Sequence, residues 1–413
     1  MVILKLIDKI LAQTSIFFIK IYQYTLSPDK GLPSLWLKGK ICAHEPHCSQ
    51  YSILSFKRYG FLSGFPKVIE RVFSCVGSKK KIYDPHKYDI VFFSSAPIGV
   101  PFLKQLNKDK RFDIKGIVTN PDEKSGRGME LKPNIIKTEG EKIIKSKDIR
   151  TPNSLRLDSK KYAEEANNFK LRLEAKKPDY IVVIAYGKII PQYILDIPKI
   201  APINVHGSLL PKYRGASPIQ SVFLNNEEKS GITIMKMDAT MDTGNMIDKL
   251  STKLNFDRTT IDLIERMKKK GPRFLNHTLI NYGKGLLGEV KQNEKQATYC
   301  QKIEKDEGEI SINKDKLENV YKKYRGYALR PKIYFNFSPF VKGENYDKSE
   351  QRDLKQKRVI IEKLKIDEKL FKTEKNKALI NGKELNKSII DISFKPEGKK
   401  SMNRKSFKSG YIK

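Results

Sequence analysis

Asn204 and His206 stand two residues apart in "INVHGSLLPKYRGASPIQ" (203–220), and Asp242 follows in "GITIMKMDATMDTG" (231–244). In an extended strand alternate residues share a face, so Ile203 and Val205 point one way and Asn204 and His206 the other. The pair falls where the strand gives way to a Gly/Pro-punctuated basic loop. In open α/β sheets, sites form at the carboxyl ends of strands. If "GITIMKMD" is a neighbouring strand, its end brings Asp242 to the same rim. An amide, an imidazole and a carboxylate then converge.

Such a trio suits direct acyl transfer to an incoming amine. Asn204 and a protonated His206 would donate to an oxyanion. Asp242 would hold the imidazole and help relay the proton that the amine loses. An α-amino group titrates near ~8 in free peptides, so a useful fraction is already neutral. The same three residue types also fit a purely structural strand end, and their spacing alone leaves both readings open.

Other chemistries lack their residues. The chain has no Gly-x-Ser-x-Gly, no His-Glu-x-x-His and no paired Cys-x-x-Cys. The first strand–helix turn, "FFSSAPIGV", lacks the glycine fingerprint of dinucleotide sites, and no phosphate-loop motif is present. His277, in the apolar helical stretch "FLNHTLI", is given no role.

The elements around the trio follow from pattern. "YDIVFF", "FDIKGIVT", "DYIVVIAYG", "PINVH" and "GITIMKMD" are short apolar runs separated by helical stretches such as "VPFLKQL". That alternation predicts a mostly parallel, doubly wound α/β sheet, a Rossmann-like domain over 88–285. Polar text over 286–300 reads as a linker. Residues 301–413 carry short alternating runs ("KIYFNF", "VIIEKLKI", "ALINGKEL") and an Asn381-Gly382 hairpin signal. These predict a small β-barrel-like domain.

The 413 residues carry 81 Lys and Arg against 47 Asp and Glu, a net charge of +34. A field of that sign favours polyanions, either nucleic acid or an anionic membrane surface. The C-terminal segment alone has 30 basic against 17 acidic residues. Four cysteines are too few to staple a chain of this length, which points to a reduced compartment.

Residues 1–86 are of another kind. In "MVILKLIDKILAQTSIFFIKIYQYTL" the polar residues Lys5, Lys9 and Gln13 recur every four, with Lys20 seven further on. They form one stripe of a helix that is otherwise Ile, Leu and Phe. Such a helix either lies in a membrane interface or packs into the core of a small domain. Neither a spanning run nor a signal-peptide cleavage site is seen. Cys42, His44, His47 and Cys48 form Cys-x-His-x-x-His-Cys, not a usual zinc spacing; small buried thiols and a polar turn are the preferred reading, with no metal. The best linker candidate is the run from Ser78 through Pro85.

"INVHGSLLPKYRGASPIQ" with "GITIMKMDATMDTG" resembles the 10-formyltetrahydrofolate-dependent formyltransferases. Purine-pathway relatives usually have Pro where this chain has Gly207, and sugar-nucleotide relatives diverge after Arg214-Gly215. "GASPIQ" and "MDTG" favour the branch that acts on methionyl-tRNA. The resemblance covers about 88–413.

It implies Asn204, His206 and Asp242 as catalytic residues, and 10-formyltetrahydrofolate as co-substrate with no metal. It implies a folate site lined by Ser208, Leu209, Leu210 and Pro211, with Tyr186 and Gly187 of "AYGKIIP" (185–191) beside it. The implied acceptor is the methionyl amine on initiator tRNA. Arg127, in the basic loop "NPDEKSGRGMELKP" (120–133), Lys132 and Arg214 would touch the tRNA. The C-terminal segment would be an oligonucleotide-binding-type (OB-like) barrel closed by "PEGKKSMNRKSF" (396–407), its phosphate contacts salt-sensitive.

"IYQYTLSPDKG", "CAHEPHCSQYSILSFKRYGFLSGFPKVIERVFSC" and "YDP" resemble the membrane protein insertion efficiency factor family. That resemblance implies a module on the cytoplasmic face of the bacterial inner membrane, assisting insertion and meeting the insertion machinery. Residues 1–26 would touch an anionic membrane surface.

The chain thus reads as a fusion of a membrane-associated helical module with a cytoplasmic two-domain enzyme. Two alternatives compete: a formyltransferase for a sugar nucleotide or purine precursor, and a non-catalytic insertion factor with a degenerate enzyme portion.

Overall fold

A computed structural model describes residues 2–27, 31–35, 44–45, 47–75, 82–83, 87–125, 130–337, 357–381 and 384–411. The chain divides into two compact units. One comprises Met1–Ile90 with Leu106–Lys115, the other Val91–Gln105 with Gly116–Lys413.

In the first unit, helix α1 (Val2–Thr25) packs on α2 (Cys48–Cys75). The face it turns inward mixes small, polar and apolar residues, with Ile16 and Ile19 half-buried. Ala12 is buried, Asp8 accepts from Leu62 N–H at 2.7 Å, and the Gln23 amide donates to Ser49 Oγ at 3.0 Å. Leu4, Leu6, Phe17 and Phe18 are left exposed, each by more than half. Among the described residues no helix is long and apolar enough to cross a membrane.

Helix α2 breaks at Gly60, whose φ of 75° and ψ of −175° are not helical. Asp8 thereby meets the first turn of the helix that restarts there, where a carboxylate satisfies an orphan N–H and the dipole. A Cβ at Gly60 would lie 1.9 Å from Asp8 Oδ2. Of the run from Ser78 to Pro85 only Ile82–Tyr83 is described, as a short strand parallel to His44–Glu45, and the side chains of Cys42 and His44 lie outside the described residues. Among those described, no group of metal-ligating side chains occurs.

A seven-stranded sheet follows. Its elements are β1 (Tyr88–Ser94), α3 (Gly99–Lys108), β2 (Phe112–Val118), β3 (Ile149–Arg150), α4 (Ala163–Lys176), β4 (Tyr180–Ile184), β5 (Ala201–His206), α5 (Pro218–Leu224), β6 (Lys229–Lys236), β7 (Met246–Lys253) and α6 (Thr260–Gly283). The strand order is β7-β6-β5-β4-β1-β2-β3. Read from its other edge this is 3-2-1-4-5-6-7, the doubly wound order with its switch point between β1 and β4.

β4 and β5 pair in parallel, as do β2 and β3, whereas β6 is antiparallel to both β5 and β7. β1 and β4 are almost wholly apolar because both faces are covered. Val91, Phe93, Phe169, Ile181 and Val183 form the core between them. α6 opens with a capping box, Thr259 with Asp262.

Residues 286–300, expected as a linker, are instead stitched to this domain. Val290 bridges Met246, and Tyr299–Cys300 pairs in parallel with Arg214–Gly215. Backbone pairing of polar residues leaves no hydrophobic period to read.

The C-terminal part carries α7 (Leu317–Gly326), β8 (Tyr334–Phe337), β9 (Lys357–Ile366), α8 (Glu368–Glu374), β10 (Ile389–Pro396), β11 (Met402–Asn403) and α9 (Arg404–Tyr411). Its four strands form one antiparallel sheet in chain order. Phe407 of α9 is buried against Phe394, with ring centroids 4.3 Å apart. Asn381 pairs with Glu384 in a short hairpin.

Buried Arg325 of α7 ties this part to the loop before α6. Its guanidinium donates to the carbonyls of Arg258 (2.8 Å) and Asn255 (3.0 Å) and lies over Phe223. Burial holds its pKa below the usual guanidinium range.

Gly60→Ala is expected to destabilise the α1–α2 pair by about 2 kcal/mol, through both its positive φ and the Asp8 contact. Amide exchange across 61–75 should speed up; wild-type protection there would contradict this account of the break.

Candidate active site

Register places the first two members of the trio. His206 pairs with Thr233 and Asn204 with Met235. Because β6 runs antiparallel, its end at Lys236 pairs with Ile203, back along β5 from His206. The strand end does not itself carry Asp242 to the rim, as expected; the loop after it does.

Asp242 reaches both partners. Asn204 Nδ2 donates to its Oδ1 at 3.2 Å, and His206 Nδ1 lies 3.5 Å from Oδ2. Gly215 N–H also donates to Oδ2, at 2.8 Å. Asp242 has a φ of 58°, and Tyr213 one of 60°. A left-handed backbone at a non-glycine residue costs about 1–3 kcal/mol and persists only where its surroundings over-determine it.

His206 is buried, and its Nε2 lies 2.8 Å from the carbonyl of Tyr213. A carbonyl only accepts, so Nε2 carries the proton. Nδ1, beside Asp242, is the nitrogen left to gain or lose one. Nε2 thus faces the Tyr213 carbonyl and Nδ1 the Asp242 carboxylate. Asn204, half-buried, engages one amide hydrogen with Asp242 and keeps the second.

The loop after β5 is held by a buried hydroxyl. Thr233 Oγ1 accepts from Leu210 N–H at 3.0 Å and donates to Ser208 O at 2.7 Å. Of the four residues expected to line a folate site, Ser208 and Leu210 are buried within the protein. Ser208 Oγ donates to Lys212 O, and Leu210 packs with Met235 and Met246. Leu209 and Pro211 are half-exposed. Beyond β4, the Tyr186 ring is core, edge-on to Phe93, while Gly187 and Ile189 are exposed.

At the switch point, Ser95 N–H donates to Ala185 O at 3.2 Å, and Ser95 Oγ accepts from Asn120 N–H at 3.0 Å. Asn120 Nδ2 donates to Tyr186 O at 3.3 Å. Asn120 Oδ1 and Tyr186 Oη are buried with no hydrogen-bond partner among the described residues. Burial pushes the Tyr186 phenol above its ordinary range.

Arg214, expected at the tRNA, is instead 0% exposed. Its Nη1 and Nη2 reach Glu294 at 2.8 and 2.7 Å, and its Nε donates to Gln292 Oε1 at 3.0 Å. A guanidinium so enclosed presents no donors to a phosphate. Lys132 is exposed in a hairpin of Glu123–Ser125 with Glu130–Lys132, while Arg127 lies outside the described residues. His277 is exposed beside Asn281. Sequence reasoning missed Thr233 and Asn120, which lie within quoted motifs but were given no role, and Gln292, which has no motif around it.

The doubly wound sheet and this rim define an α/β protein with a polar site at its strand ends. Comparison with known proteins gives the family. Residues 89–279 match the formyl transferase family model, and residues 11–87 match the model described as "Putative membrane protein insertion efficiency factor". A methionyl-tRNA formyltransferase of Caldicellulosiruptor saccharolyticus is 37% identical over 246 residues, covering 60% of this chain and 75% of the relative. One from Campylobacter jejuni subsp. doylei is 35% identical over 264 residues, 63% of this chain and 81% of the relative. A solved methionyl-tRNA formyltransferase from Clostridium thermocellum is 18% identical, covers 68% of this chain and 94% of its own, and gives a TM-score of 0.44. The chain belongs to the methionyl-tRNA formyltransferase family, preceded by a segment that matches the insertion-factor model.

Thr233→Val should cost about 2 kcal/mol, because Leu210 N–H and Ser208 O lose a buried partner. Denaturant unfolding reads this directly; a loss under about 0.5 kcal/mol would show the loop to be held otherwise.

Proposed function

We propose that the protein transfers a formyl group from 10-formyltetrahydrofolate to the α-amino group of methionyl-initiator tRNA. The observation that carries this reading is the meeting of Asn204, His206 and Asp242 on one rim, in a chain of this family. The residues present fit a folate. Asn120 Oδ1 and Tyr186 Oη, buried with no hydrogen-bond partner among the described residues, lie at the switch point, and apolar Ile189 and Met241 are exposed. The bound folate supplies the formyl carbon.

This chain's own groups then act on the proton and the oxygen. The free N–H of Asn204 donates to the oxygen on which charge develops. His206 Nδ1, with Asp242 beside it, accepts the proton that the amine loses as the new C–N bond forms, and returns it to the departing nitrogen. Asp242 orients the imidazole.

We read the basic C-terminal sheet as an oligonucleotide-binding-type barrel. With Lys132 and Arg127 it would engage tRNA phosphates. We read the N-terminal module as lying on the cytoplasmic face of an anionic membrane, where its exposed Leu and Phe residues and its lysines suit an interface.

Formyl transfer to charged initiator tRNA is expected to fall by about 10²–10⁴-fold in His206→Ala. A rate unchanged by that substitution would remove the mechanism. Co-sedimentation with anionic vesicles should be lost on deleting residues 1–26; sedimentation of the truncated protein would place the membrane contact elsewhere.

A further inference from the structure

Gln292 lies in the polar stretch 286–300, far from the trio in sequence, yet it is 3% exposed. Its Nε2 donates to two carbonyls of the Asp242 loop, Asp242 O at 2.7 Å and Gly244 O at 2.8 Å. Its Oε1 accepts from Arg214 Nε. Two carbonyls on one side and a guanidinium on the other allow only one orientation of the amide. Arg214 is in turn gripped by Glu294 and by Tyr299 Oη. The residue after Arg214 is Gly215, whose N–H holds Asp242 Oδ2. The circuit closes on itself: Asp242 backbone, Gln292 amide, Arg214 guanidinium, Gly215 N–H, Asp242 carboxylate.

We propose that Gln292, anchored by Arg214, is a positioning residue that fixes the Asp242 carboxylate against His206 Nδ1. Gln292 supplies the loop's carbonyls with a donor while Asp242 holds its left-handed backbone, φ 58°. Freed of that donor, the loop can carry the carboxylate away from the imidazole, and a displacement of about 1 Å is enough to cost on the order of a hundredfold in rate. Gln292 would touch neither folate nor tRNA. The inference rests on the reading of Asp242 and His206 as catalytic.

The test is Gln292→Glu in the full chain. The variant keeps the shape and an acceptor for Arg214, but sets a carboxylate oxygen against the two carbonyls. Steady-state formyl transfer to charged initiator tRNA, thermal unfolding and an Asp242→Asn control are measured together. The expected result is a fall in kcat of about ten- to a hundredfold with KM for tRNA changed less than about twofold. Arg214→Lys, which keeps the Glu294 pair but loses the Nε donor, should show a smaller fall of the same kind. If Gln292→Glu does not fold, Gln292→Met, of similar volume and without a donor, is read by the same criterion.

A wild-type kcat in a folded Gln292 variant, with Asp242→Asn inactive, would overturn the positioning role alone. A rise in KM without loss of kcat would do the same. Wild-type activity in Asp242→Asn would instead overturn the catalytic reading beneath it.

Discussion

The Asp242 carboxylate takes one hydrogen bond from Asn204, another from Gly215 N–H, and faces the His206 imidazole, all from a backbone in the left-handed region. The partners come from two elements, Asn204 and His206 from β5 and Gly215 from the stretch after it, while Asp242 lies on the loop that leaves β6. None of these contacts survives unless sheet register, the return of the 237–245 loop and the fold of 207–217 hold at once. The buried Thr233 hydroxyl fixes the second of these loops against β6. The Tyr213 carbonyl, on a strained residue of that loop, sets which imidazole nitrogen carries its proton. Strain at Tyr213 and Asp242 is thus the cost of bringing three polar groups to one point.

The flanking parts follow different packing logics. In the α1–α2 pair, Ala12, Tyr51 and Phe56 are buried beside the polar contacts of Asp8 and Gln23, while Leu4, Leu6, Phe17 and Phe18 are turned out. The C-terminal sheet buries Phe335, Phe394 and Phe407 in an ordinary apolar core and keeps its lysines outside. Arg325 holds it to the catalytic domain with a cation paired to carbonyls and aromatic faces rather than to a carboxylate.

The site was legible where chemistry follows a period. Asn204 and His206 fall on alternate positions at a strand end, so pattern alone could place them together. Asp242 was assigned to the same rim, but by the wrong route, because the direction of β6 depends on a pairing that its own residues do not encode. Arg214 beside a glycine reads as a surface cation; only folding reveals Glu294 and Gln292 around it, about eighty residues away in sequence. Gln292 was invisible for the same reason: a lone amide in polar text carries no period, and its partners are 48 to 78 positions distant. The amphipathic period of α1 was clear, while which face would pack inward was not.

The central claim is that Asn204, His206 and Asp242 act as one unit rather than as three separate contributors. A double-mutant cycle on Asn204→Ala and Asp242→Asn, read as kcat/KM for formyl transfer to charged initiator tRNA, addresses it most directly. Residues that act as a unit are strongly non-additive, so the double variant should be about as slow as the slower single one. Losses that multiply would show the two groups working independently and would contradict the account.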